Sequence, residues 1–297
     1  MPSLRSRLLR LYLKRFKGRL FTGASFQEQR IKINAFTRRN IRLPPSVSVR
    51  AVTAGGVPAE WVEPLGADSG RVILYLHGGG YVLCSPDTHR GLAARLARAS
   101  AARLLLLDYR LAPEHPFPAA LDDALTAYRW LLKEGFSASR TVIGGDSAGG
   151  GLTLATAVSL RDAGDPLPAA LVCISPWADL TFSGESLRTR ADADPLLSPH
   201  GDALVKCYAA ENDPAHPLIS PLFANLRGLP PTSIHVGNDE ILLSDSTRLK
   251  EKMQAAGVEV SLEIWNGMWH VFPVFAPLIP EAQEAIDRIA VFIKAYV

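Results

Sequence analysis

Four leucines stand in a row at Leu104-Leu105-Leu106-Leu107. A strand with one wet face alternates apolar and polar residues, so a strand without that alternation must be covered on both sides. This run belongs to a series of short apolar stretches separated by patterns of helical period, and that alternation predicts a mostly parallel, twisted sheet with helices on both faces. Strands are predicted at Arg71 to Leu76, Arg103 to Asp108, Thr141 to Gly144, Ala170 to Ser175, Thr232 to Val236 and Val258 to Ile264, preceded by two short antiparallel strands at Val47 to Val52 and Pro58 to Val62. Helices are predicted over Thr88 to Ser100, Ala119 to Lys133, Ala148 to Asp162, Asp245 to Ala256 and Pro280 to Ala295. Right-handed crossovers follow from strand twist. The fold class is therefore α/β.

Two segments break the rhythm. Trp177 to Leu229, rich in Pro, Asp and Ser with one helix near Asp202 to Ala210, is too long for an ordinary connection and reads as an insertion over the carboxyl edge of the sheet. Before the double proline Pro44-Pro45, Leu4, Leu8, Leu9, Leu13, Phe16 and Leu20 recur near every 3.6 residues with Arg and Lys between them. That spacing predicts an amphipathic helix with its leucines inward and a basic outer face. Packing on its own domain is the ordinary reading, and an anionic membrane surface is the alternative partner.

The formal charge of +3 conceals an asymmetry. Residues 1–50 hold 13 Lys and Arg against the single acid Glu28, a balance of +12, and the remaining 247 residues, with 19 basic and 28 acidic side chains, carry −9. No apolar run approaches the roughly 18 residues that span a bilayer. Arg10, Lys14, Arg15 and Lys17 interrupt any apolar signal core, and Cys84, Cys173 and Cys207 form no C-x-x-C pair. A cytoplasmic protein is expected, with neither a disulfide framework nor a zinc site.

Gly145-Asp146-Ser147-Ala148-Gly149 is a G-x-S-x-G pentapeptide between a predicted strand and a predicted helix. That context matters more than the spelling. A sharp strand-to-helix turn holds a serine hydroxyl proud of the sheet, and the free N–H groups of the helix start offer positive potential where an oxyanion develops. Neither G-x-G-x-x-G nor G-x-x-x-x-G-K-[ST] occurs, which argues against a nucleotide-binding turn. His77-Gly78-Gly79-Gly80 directly follows another strand. Three consecutive glycines cost backbone entropy and call for a close approach of backbone to ligand. The N–H groups of Gly78, Gly79 and Ala148 would make a three-donor oxyanion hole, each donor worth about 3 kcal/mol of barrier.

A serine nucleophile needs a base, and the base needs a carboxylate. Of seven histidines, His77 belongs to the glycine loop, His235 sits within a strand as a core residue, and His89, His115, His200 and His216 lie in proline-containing segments or a surface-type helix. His270, in the loop after the last strand, is the candidate base. The acid is expected in Gly237-Asn238-Asp239-Glu240, where Asp239 and Glu240 both qualify; Asp245 reads as a helix cap.

These residues resemble the hormone-sensitive-lipase-like family of α/β-hydrolase carboxylesterases, through His77-Gly78-Gly79-Gly80-Tyr81, Asp108-Tyr109-Arg110-Leu111-Ala112-Pro113-Glu114-His115-Pro116-Phe117-Pro118-Ala119 and Gly145-Asp146-Ser147-Ala148-Gly149-Gly150. The likeness covers Arg71 to His270. Many family members carry Asp-Pro-Leu where this chain has Glu240-Ile241-Leu242, and matching the leucines implies Glu240 as the acid of a Ser147, Glu240, His270 triad, with Asp239 in reserve. The resemblance further implies an α/β-hydrolase fold with a helical cap, residues 1–45 forming one cap segment and residues 46–297 the catalytic domain with its cap insertion at about 177–229. Trp177, Phe182 and Trp269 become candidate pocket walls, with a core position as the equal alternative for an aromatic beside a catalytic loop. The implied activity is serine esterase on short- to medium-chain acyl esters, with amidase or deacetylase chemistry, or a non-catalytic small-ligand receptor, as alternatives on the same scaffold. A small-molecule ester is the expected partner, with no nucleic acid, no cofactor and no metal. Similar proteins often pair as homodimers through the edge strand ending near Ile264.

Overall fold

The computed structural model describes residues 1–17, 25–40, 43–199 and 201–297. Leu20 of the amphipathic pattern and His200 lie outside the described residues.

Eight strands form one sheet: β1 (Val47–Ala54), β2 (Val57–Pro64), β3 (Asp68–Leu76), β4 (Ala102–Leu107), β5 (Thr141–Asp146), β6 (Ala170–Ile174), β7 (Thr232–Gly237) and β8 (Val260–Trp265). Their spatial order is β1-β2-β4-β3-β5-β6-β7-β8. The β2 strand runs antiparallel to both its neighbours, and every pairing from β4 to β8 is parallel. The swap of β3 and β4 in that order makes β3 and β5 central neighbours, so the loops leaving their carboxyl ends lie side by side.

The leucine run explains itself in β4. Leu104 and Leu106 are buried in one core and Leu105 and Leu107 in the other, as the two-residue period of a strand requires. One face is covered by α3 (Pro86–Ser100) and the last helix, α9 (Pro280–Tyr296). The opposite face is covered by α4 (Ala119–Lys133), α5 (Ala148–Ala163) and α8 (Leu243–Ala255). The insertion carries the short α6 (Ser186–Thr189) and α7 (Asp202–Ala209) and packs into that second core through Val205, Tyr208 and Leu222.

The N-terminal segment forms two helices, α1 (Leu4–Phe16) and α2 (Phe26–Asn40). Here the structure departs from the expectation of inward leucines. Leu9 and Leu13 do pack on the core beneath α9, yet Leu4 and Leu8 stand exposed while Arg10 turns to the protein body. The reason is a set of acceptors that the sequence pattern cannot reveal. The Arg10 guanidinium pairs with Asp239 and donates to the Ala193 carbonyl at 2.9 Å, Lys14 donates to the Asp192 carbonyl at 2.8 Å, and Lys17 donates to the Ala191 and Asp194 carbonyls.

Candidate active site

Ser147 sits between β5 and α5 at φ +54°, ψ −122°, a conformation that a non-glycine residue adopts only when its surroundings enforce it. Glycine on either side makes the turn feasible. A Cβ at position 145 would stand 2.3 Å from the Gly149 carbonyl oxygen, and one at position 149 would stand 2.0 Å from that of Leu76. The Ser147 backbone is pinned from the neighbouring strand, its N–H donating to the Ile174 carbonyl and its own carbonyl accepting from Trp177 N–H, both at 2.9 Å.

His270 follows β8 and turns back over the sheet. Its Nε2 lies 3.0 Å from Ser147 Oγ and its Nδ1 3.3 Å from Glu240 Oε1. Glu240 is fully buried. Its second oxygen accepts from the Gly237 N–H at 2.9 Å and from the Ser175 hydroxyl at 2.8 Å, so the carboxylate has a fixed orientation and its burial is compensated. Ser175 also accepts from Val271 N–H at 3.0 Å, which ties the acid to the histidine loop. Sequence reading did not single out Ser175; its only signal is a small hydroxyl residue at the end of β6. Asp239 points elsewhere, to Arg10.

The glycine loop after β3 lies against this turn. A Cβ on Gly78 would stand 3.1 Å from Ser147 Cβ. Gly79 and Gly80 follow at φ +118° and +63°, and their N–H groups, like that of Ala148, have no hydrogen-bond partner among the described residues. Gly78 differs from the expectation. Its N–H is directed at His89 Nε2, 3.4 Å away, into a buried cluster in which His89 lies 3.1 Å from Asp146 and Tyr75 donates to the same carboxylate at 2.9 Å. Burial would raise the Asp146 pKa, but His89 and Tyr75 together lower it. His89 is therefore no surface-helix residue, and its partner 57 positions away is why the sequence hides it. His77 is stacked on Tyr109 at 4.3 Å, and burial drives its pKa down to about 3; it is neutral and structural.

A model of the family described as alpha/beta hydrolase fold matches residues 73–274. The chain belongs to that family. The chain is 46% identical over 256 residues to an acetyl-hydrolase of Streptomyces hygroscopicus, covering 86% of this chain and 84% of the relative. It is 40% identical over 250 residues to an esterase of Acinetobacter venetianus, with 84% and 82% covered. Among solved structures, a crystal of EstE5 soaked with p-nitrophenyl butyrate superposes with a TM-score of 0.95 at 46% identity, covering 99% of each chain. An esterase from the bacterial hormone-sensitive lipase family superposes with a TM-score of 0.95 at 42% identity, covering 100% of this chain and 99% of the other. This α/β-hydrolase is a carboxylic ester hydrolase of the hormone-sensitive-lipase type.

Within this α/β-hydrolase, the N-terminal helices and the insertion are fastened to the loops that carry the candidate residues. Arg30 on α2 donates to the Val82 and Ala112 carbonyls at 2.6 and 2.5 Å, beside the glycine loop, and Leu204 on α7 sits where a Gly80 Cβ would be. The buried Asp194 of the insertion accepts from Leu196 and Leu197 N–H groups and from Ile241 N–H, next to Glu240. Asp245 holds two insertion amides rather than capping its own helix: Ala178 and Asp179 N–H groups donate to it at 2.9 Å. Burial, with the Asp179 charge, raises the Asp245 pKa to about 7 against the pull of those amides. Trp177 and Phe182 stack at 5.8 Å beside the elbow, whereas Trp269 is a core residue under α3 and α9, edge-on to Phe275, and walls no pocket. No described helix is long and apolar enough to cross a membrane.

Proposed function

We propose that the enzyme hydrolyses short- to medium-chain acyl esters through Ser147, His270 and Glu240. The observation that carries this reading is the unbroken line from Ser147 Oγ through the imidazole to the buried Glu240 carboxylate. Nδ1–H donates to Glu240, which leaves Nε2 free to accept the serine proton. As Oγ bonds to the ester carbonyl carbon, that proton passes to Nε2 and the carbonyl becomes an oxyanion. The imidazolium then protonates the departing alcohol, and water, deprotonated by the same imidazole, releases the acid from the acyl-serine. Gly79 and Ala148 serve as oxyanion donors, and Gly80, whose N–H is unengaged, takes the third place in preference to Gly78, whose N–H is turned to His89. The reaction requires no metal or organic cofactor. Residues 1–45 and 177–229 act as the cap over the acyl site, supported by their bonds to the glycine and acid loops.

Acyl preference is tested with p-nitrophenyl esters from acetate to palmitate. The expected profile peaks at six carbons or fewer on the strength of the acetyl-hydrolase relative, and a peak at long chains would overturn it.

The imidazole also sets a pH dependence. Burial disfavours its charged form, but the hydrogen bond and charge of Glu240, with Asp194 and Asp146 beyond it, outweigh burial and raise the His270 pKa above 6.5. Neutral imidazole is the active base, so kcat/KM is expected to rise with pH through a midpoint above 6.5. In Glu240→Gln the midpoint should move down while the plateau falls. By linkage, the stabilisation tied to the protonated ring is complete below the unfolded-state pKa and is lost as pH rises through the raised folded value. An unmoved acid limb in Glu240→Gln would remove Glu240 from this role.

A further inference from the structure

The outward stripe of α1 has no function in the ester chemistry. Leu4, Leu8 and Leu11 are 71%, 59% and 67% exposed, and positions 4, 8, 11 and 15 fall on one side of a helix. Arg15 falls within this stripe and Arg5 and Arg7 flank it on either side; all three are exposed and have no ion-pair partner among the described residues. The helix holds no acidic residue. The other basic side chains of α1 and its end turn to the protein body, Arg10 pairing with Asp239 while Lys14 and Lys17 donate to carbonyls of the insertion.

We propose that this face of α1 docks on an anionic lipid surface. A second copy of the chain in a two-fold pair would bring the unpaired arginines of both copies together. A polynucleotide would answer the arginines and leave three leucines in water. An anionic lipid surface satisfies both, with phosphate groups at the depth of the guanidinium groups and leucine side chains at the headgroup and acyl boundary. The second cap helix repeats the combination, Ile31 and Phe36 standing 69% and 68% exposed on a helix that also presents Lys32 and Arg39 to solvent. Because the inner side of α1 grips Asp239, adjacent to Glu240, docking would place the membrane beyond the cap and outside the acid loop.

The full chain is sedimented with vesicles of phosphatidylcholine alone or with about three-tenths phosphatidylglycerol. Binding is expected to the second and to be at least tenfold weaker to the first, and to fall when NaCl is raised to 0.5 M, as screening requires. Leu8→Gln/Leu11→Gln and Arg5→Gln/Arg7→Gln should each weaken binding tenfold or more, with the far-ultraviolet circular dichroism spectrum and thermal midpoint of the parent retained, which shows that the variants fold. Equal sedimentation with both vesicles, or undiminished binding by both variants, would overturn the proposal. So would a lipid-free dimer, seen by analytical ultracentrifugation, that the leucine variant abolishes.

Discussion

Ser147→Ala is expected to reduce kcat toward p-nitrophenyl butyrate by about a millionfold, the scale on which removing the nucleophile of a serine hydrolase acts. The variant should keep its fold. The hydroxyl's hydrogen-bond partner is His270 Nε2, the backbone bonds of residue 147 do not involve the side chain, and alanine keeps the Cβ that the glycine loop packs against. His270→Ala should cost a comparable factor, and the double variant little more than either, because the two groups act on one proton and neither functions alone. Far-ultraviolet circular dichroism checks the fold beside single-turnover hydrolysis. A Ser147→Ala protein that turned over butyrate within tenfold of the parent would end the proposed mechanism, while equal and additive losses would mean that serine and histidine act in separate steps. The same assay separates the neighbouring acids. Asp239→Asn removes a contact to Arg10 that is partly open to water, where a salt bridge contributes little, so its effect should be far smaller than that of Glu240→Gln.

The eight strands and the flanking helices were readable because covered strands and amphipathic helices each leave a period in the sequence, and Leu104 to Leu107 show the limiting case, with alternate residues entering different cores. The nucleophile turn was readable for a related reason: G-x-S-x-G works only where Cβ atoms cannot fit, so sterics write it into the chain locally. What could not be read depends on partners remote in sequence. Periodicity placed the leucines of α1 inward, but the consecutive carbonyls of Ala191, Asp192, Ala193 and Asp194 in the insertion, together with Asp239, draw the basic side chains in and leave leucines outside. His89 was assigned to a surface because nothing near it in sequence announces Asp146. Ser175, which bridges Glu240 and Val271, has the composition of any strand-end serine. The direction of the Gly78 N–H is a matter of a peptide plane, which a run of three glycines leaves open.

Gly149→Ala carries the second large effect, and it isolates geometry from chemistry because no reacting atom is changed. The added methyl would stand 2.0 Å from the Leu76 carbonyl oxygen and 2.6 Å from that of His77. Both are backbone atoms at the end of β3, a strand bonded on both sides in the middle of the sheet, so neither can retreat as a flexible side chain would. Either α5 lifts away from the sheet or the glycine loop is displaced. Each route moves Ser147 relative to the unengaged amides of Gly79 and Gly80, and misplacement by about 1 Å can cost about a hundredfold in rate. The expected result is a loss of stability of about 3 kcal/mol or more, typical of severe overpacking, and a fall in kcat of at least a hundredfold in whatever protein remains folded. Gly164→Ala is the matching control. That glycine ends α5 at φ +71° with nothing within 4 Å of the added carbon, so only backbone strain of about 1 kcal/mol is paid, and kcat should be unchanged. Thermal unfolding of the three proteins, with kcat measured well below each midpoint, decides the matter. If Gly149→Ala unfolded like Gly164→Ala and retained full turnover, the close approach of β3 to the serine turn would not be what holds the nucleophile against the glycine loop.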